Sequence, residues 1–82
     1  MNRTDILKQI QNALENTAPE INFEKINKDG IFRAQVEIDS YDMYRFLSQL
    51  EATTQVTIPE TFFRRMVTIE EIVDYILDSK RK

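Results

Sequence analysis

The chain has no cysteine and no histidine among its 82 residues. Without cysteine there is no disulfide framework and no thiolate metal site. Without histidine the usual general base, metal ligand and activator of a serine nucleophile are gone. An ordinary serine-hydrolase triad cannot be assembled, and no two carboxylates are placed for glycoside chemistry. An enzyme in its own right is therefore the weakest functional reading. Long apolar runs are missing too, since none approaches the roughly 20 residues that a membrane span requires. Met1-Asn2-Arg3-Thr4-Asp5 leads straight into a mixed segment with no leader pattern, so a soluble cytoplasmic protein is expected. The single glycine, Gly30, lies outside the helical patterns, so it weakens no helix interior. Charge is not of one sign: the net value is −3, with acids and bases in both halves. A nucleic-acid binder would show a basic face. Here Arg64-Arg65 and Lys80-Arg81-Lys82 are only short clusters. The second reads as a solvated tail with bases at a helix end. Asp5, Asp39, Asp42 and Asp74 match no calcium-loop spacing, so no metal site is expected.

What is present is one small domain, residues 1–82. A chain of this size buries roughly 60–65% of its unfolded surface, for a stability on the order of several kcal/mol. There is room for a single core and little room for a deep cleft.

Four helical segments can be read from the pattern. Thr4 is a candidate cap for the first, with Asp5 in its first turn and Ile6, Leu7, Ile10 and Leu14 at helical spacing. Pro19 marks the loop that follows. A second helix should start at Asp39 or Ser40 and run to about Ala52, with Tyr41, Tyr44, Leu47 and Leu50 as its apolar stripe. Val56-Thr57-Ile58 is extended before Pro59, and Pro59 through Met66 allows one or two helical turns. The last helix is the clearest. Thr68 and Glu71 form a capping box, followed by Ile69, Ile72, Val73 and Ile76 on one face. Residues 21–38 allow two readings: a β-hairpin turning at Asp29-Gly30, or a long loop whose apolar side chains drop into a helical core.

The most informative pair is Asp39-Ser40. A hydroxyl at a helix start meets unpaired backbone N–H groups and the positive end of the helix dipole, a good place for a phosphate. By itself the pair is also an ordinary cap, worth about 1 kcal/mol.

Taken together, these residues resemble the acyl carrier protein family. Asp39-Ser40 stands in place of the usual Asp-Ser-Leu, Ile58-Pro59 follows at the family's distance, and Thr68 to Ile76 is similar to the family's last helix. The run from Ile31-Phe32-Arg33 through Val36 and Ile38 also resembles the stretch before the family's serine. The resemblance covers residues 4–79 and lies in the combined spacing. It implies an all-α, four-helix up-and-down bundle, with a long loop between helices 1 and 2 and a short third helix. It favours the loop over the hairpin. It implies 4′-phosphopantetheine, moved from coenzyme A onto Ser40 by a phosphopantetheinyl transferase, with Asp39 and Tyr41 flanking the attachment. An acyl-loading ligase or synthase and downstream acyl-processing enzymes would be the other partners of a monomeric carrier. Tyr41 stands where leucine is usual. The second helix carries Arg45 and few acids, where well-known members are strongly acidic. These departures point to a specialised fatty-acid, polyketide or other secondary pathway.

Asp42, Arg45, Phe62, Arg64 and Arg65 are the candidate partner surface, with one phenylalanine of Phe62-Phe63 expected to anchor the short helix. Tyr41 and Tyr44 are expected in half-buried packing, and Phe46-Leu47-Leu50 as packed core. The competing functions are an aminoacyl, peptidyl or D-alanyl carrier, an unmodified helical interaction module, and a β-containing adaptor built on the hairpin.

Overall fold

The computed structural model describes residues 2–65 and 67–80. Its helices are α1 (Arg3–Thr17), α2 (Phe32–Gln35), α3 (Ser40–Thr54), α4 (Glu60–Phe63) and α5 (Ile69–Lys80), with a 3₁₀ turn at Phe23–Lys25. No strand forms among the described residues, and no helix there is long and apolar enough to cross a membrane. The fold is all-α, as expected, with one helix more than the sequence pattern suggests. That helix is α2, a single turn inside the long connection between α1 and α3.

The first helix starts earlier than Thr4 implies. Asn2 is its cap: Asn2 Oδ1 accepts from the Asp5 N–H at 2.9 Å, and the Asp5 carboxylate accepts from the Asn2 N–H at 3.5 Å. Capping at Asn2 puts Asp5 at the third helical position, where this reciprocal pair can form; capping at Thr4 would not. Ile6, Ile10, Ala13 and Leu14 are buried, and α3 and α5 both pack on this helix. Arg3 ties its first turn to α5 through Glu70 and Asp74. The hydrogen bond to Asp74 is the main reason its guanidinium pKa is raised. The helix ends at Ala18, where the backbone leaves helical geometry before Pro19.

The connection from residue 18 to residue 39 is the loop and not the hairpin. A tight Asp-Gly hairpin turn needs positive φ at both central residues, and neither Asp29 nor Gly30 has it. Instead the Gly30 N–H donates to the Asn27 carbonyl at 3.0 Å and the Asp29 N–H to Asn27 Oδ1 at 3.0 Å. Gln35 folds over this turn, accepting from the Asn27 N–H at 2.8 Å and donating to its carbonyl at 2.9 Å. A β-carbon on Gly30 would come within 2.6 Å of the Gln35 amide, which is why glycine suits the position. Phe23, Ile26, Phe32 and Val36 drop into the core. The loop is fastened to the start of α5 by Phe32 N–H to the Val67 carbonyl at 2.8 Å, beside a lone antiparallel bridge of Ile31 with Thr68.

The stripe read on α3 is out of phase. Met43, Phe46, Leu50 and Thr54 are buried, whereas Tyr41 and Tyr44 are each 70% exposed. Both sets have helical spacing, but a helix can turn only one stripe inward. The inward set has no phenol to satisfy. Thr54 is the polar member, and its hydroxyl donates to the Leu50 carbonyl at 2.6 Å. Phe46 then joins Phe32 and Phe63, with ring centroids 5.4 to 6.2 Å apart. This trio locks α2, α3 and α4 together, and Phe63 is the anchor of the short helix. Pro59 stands one position before that helix, which spans one turn; Met66, at the end of the segment read as helical, lies outside the described residues, as do Arg81 and Lys82. The capping box of α5 is present: Thr68 N–H donates to Glu71 Oε1 at 3.1 Å and Glu71 N–H to Thr68 Oγ1 at 3.0 Å. Ile69, Ile72, Val73 and Ile76 are fully buried.

Candidate functional site

Buried Val36 and half-buried Ile38 pin the chain just before it turns into α3. Asp39 follows in extended geometry as the cap, and its Oδ1 accepts from the Asp42 N–H at 2.8 Å. The Asp39 carbonyl accepts the first helical hydrogen bond, from the Met43 N–H at 2.9 Å. Ser40 is therefore the first helical residue, exposed at the mouth of the helix. Among the described residues no side chain or carbonyl takes a hydrogen bond from its Oγ or from the N–H groups of Ser40 and Tyr41. These are the donors that a helix start leaves for an external anion.

A cleft of about 190 Å³ adjoins the hydroxyl, lined by Ser40, Met43, Tyr44, Leu47 and Glu60. Larger hollows lie elsewhere, one of about 490 Å³ beside Leu7 and Phe23, but they do not touch Ser40. The chemistry argues for the smaller cleft, because it joins a free hydroxyl, unpaired N–H groups and an apolar floor.

The other candidate residues divide. Tyr41 is beside Ser40 and points into solvent. Asp42 and Arg45 lie on the same helix, 3.6 Å apart as an ion pair. Arg64 pairs with Glu60 at 3.0 Å, which brings it to the edge of the cleft. Phe62 is only half-exposed and meets Tyr75 at a 45° tilt with centroids 4.6 Å apart, so it holds α4 to α5. Arg65 is exposed beyond α4. Glu60 and Met43 were not singled out in the sequence. The signal for Glu60 was its place directly after Ile58-Pro59, which sets α4 against α3.

A protein-family model described as "Phosphopantetheine attachment site" matches residues 5–76 of this chain. An acyl carrier protein from Rubrobacter xylanophilus is 31% identical over 80 residues, covering 95% of each chain. No solved structure matches significantly.

Proposed function

This chain belongs to the acyl carrier protein family, and we propose that Ser40 is where its covalent 4′-phosphopantetheine is attached. The carrying observation is the exposed Ser40 hydroxyl at the first position of α3, opening on the cleft between α3 and α4. In the transfer, Ser40 Oγ bonds to the pantetheine-side phosphorus of coenzyme A. The pyrophosphate P–O bond breaks and adenosine 3′,5′-bisphosphate leaves. The hydroxyl proton goes to a base of the transferase. The Ser40 and Tyr41 N–H groups, at the positive end of the α3 dipole, would be the donors available to the resulting phosphodiester. Asp39 fixes that end through its bond to the Asp42 N–H. Tyr41, turned outward, leaves the attachment point open.

The arm supplies the reactive sulfur that this chain lacks, and holds an acyl group as a thioester. The protein acts as a carrier and not as a catalyst, and it works as a monomer. It presents its cargo to a loading ligase or synthase and then to acyl-processing enzymes. A specialised pathway is favoured because two acids near Ser40 are paired with arginines, Asp42 with Arg45 and Glu60 with Arg64. They do not form a free acidic strip of the kind that steers docking on basic enzymes.

Intact mass after incubation with coenzyme A, magnesium and a broad-specificity transferase tests the assignment. One phosphopantetheine mass is expected on the wild-type chain, mapped to Ser40, and none on Ser40→Ala with its helical circular dichroism unchanged. An arm that persists on Ser40→Ala would falsify the assignment. Loading of the modified chain by fatty-acyl and aminoacyl ligases, read by mass, then names the cargo.

A further inference from the structure

We infer that Tyr41 and Tyr44 form the contact face for the transferase that loads Ser40, and that this contact is aromatic and nearly charge-neutral. The inference rests on the Ser40 reading above. The two rings lie three residues apart, so they are neighbours on one side of α3. Each is 70% exposed, and Tyr44 also lines the cleft that Ser40 opens on. The inner face of the helix is taken by Met43, Phe46 and Leu50, so nothing in the chain's own core competes for these rings. An enzyme that brings a base to Ser40 Oγ must cover the surface around it, and that surface includes Tyr44, which shares its cleft, and Tyr41, the next residue on the helix.

Two of the carboxylates beside the rings are answered locally. Asp42 pairs with Arg45, and Glu60 with Arg64. Asp39 gives one carboxylate oxygen to the α3 cap. Beyond Asp39 and Glu37, which have no ion pair among the described residues, a partner that relied on opposite charge would find little net field here. A partner with an apolar groove and a few hydrogen-bonding groups would gain ring burial and a place for each phenol. Tyrosine supplies a large contact area at small conformational cost and is enriched among residues that dominate binding energy.

The test is arm transfer to the full chain by the native host's transferase, followed by intact mass as a function of time. Tyr44→Ala should lower kcat/KM by about tenfold, and Tyr41→Ala with Tyr44→Ala by more. Raising salt from about 50 to about 500 mM should change the wild-type rate by less than about threefold, because screening acts on charged contacts. Both side chains are exposed, so the variants should keep the wild-type circular dichroism. A double variant modified at the wild-type rate overturns the contact face and leaves Ser40 standing. A wild-type rate that falls more than about tenfold over the salt range overturns its neutral character. A wild-type chain that accepts no arm at all withdraws the Ser40 assignment, and the contact face with it.

Discussion

The helices α3 and α5 are built alike on their inner faces and differently on their outer ones. Each starts at a side-chain cap, Asp39 for α3 and Thr68 with Glu71 for α5. Each drives a run of apolar side chains into the same core. On the outside, α5 carries Glu71, which accepts from the Thr68 N–H, Asp74, which is held by Arg3, and Asp78. The outside of α3 instead shows two aromatic rings beside a free serine hydroxyl. Water solvates a carboxylate well and a phenol ring poorly, so exposed rings cost something unless a partner covers them. On the proposed contact face, α5 is the helix that serves the fold, while α3 would serve the fold on one side and the transferase on the other.

The sharpest way to break that comparison is to cut each face of α3 separately. Phe46→Ala removes the ring that stacks on Phe32 and meets Phe63 edge-on. It should cost about 3–5 kcal/mol in urea unfolding, which is most of the stability of so small a domain. Tyr44→Ala should change stability by no more than about 0.5 kcal/mol, since an exposed ring loses little packing. Equal losses from the two would mean that the tyrosine face is structural after all.

How legible these two helices were in the sequence follows from the same residues. In α5 only one phase is possible: every other stripe would bury an acid, and the capping box fixes the start. In α3 two phases share Leu50, and the set with Tyr41 and Tyr44 is as regular as the set with Met43 and Phe46. What decides between them is the ring of Phe32, which arrives from a loop fourteen residues earlier in the chain, and no local pattern carries that. The helix α2 was hidden for a similar reason. A single turn has no helical stability of its own; it forms because Phe32 is buried and its N–H is held by the Val67 carbonyl. Ser40 was legible because an acid, a hydroxyl and an apolar run mark a helix start. The cleft was not, because Glu60 comes to it from another helix.

The start of α5 offers a smaller test of the claim that this helix serves the fold alone. Thr68→Ala removes the hydroxyl that holds the Glu71 N–H and half of the capping box. A loss of about 1 kcal/mol in the free energy of urea unfolding is expected. The rate of arm transfer to Ser40 should not move. A transfer rate that fell with the cap intact elsewhere would give α5 a part in docking and erase the contrast with α3.

The smallest effect lies at the far end of α3. Gln55 closes the helix in the left-handed conformation, at φ 62° and ψ 26°, and is the one non-glycine residue with positive φ among those described. Its N–H donates to the Glu51 carbonyl at 2.9 Å and its side-chain amide to the Ala52 carbonyl at 3.0 Å. The two bonds satisfy carbonyls that the helix end would leave open, and they offset the strain of a β-carbon in that region. Gln55→Gly keeps the backbone bond, relieves the β-carbon and loses the side-chain bond, while the unfolded chain gains freedom. The balance favours glycine by up to about 1 kcal/mol, read as a higher melting temperature with unchanged arm transfer. A lower melting temperature would show that the Gln55 amide contributes more to closing α3 than its left-handed backbone costs.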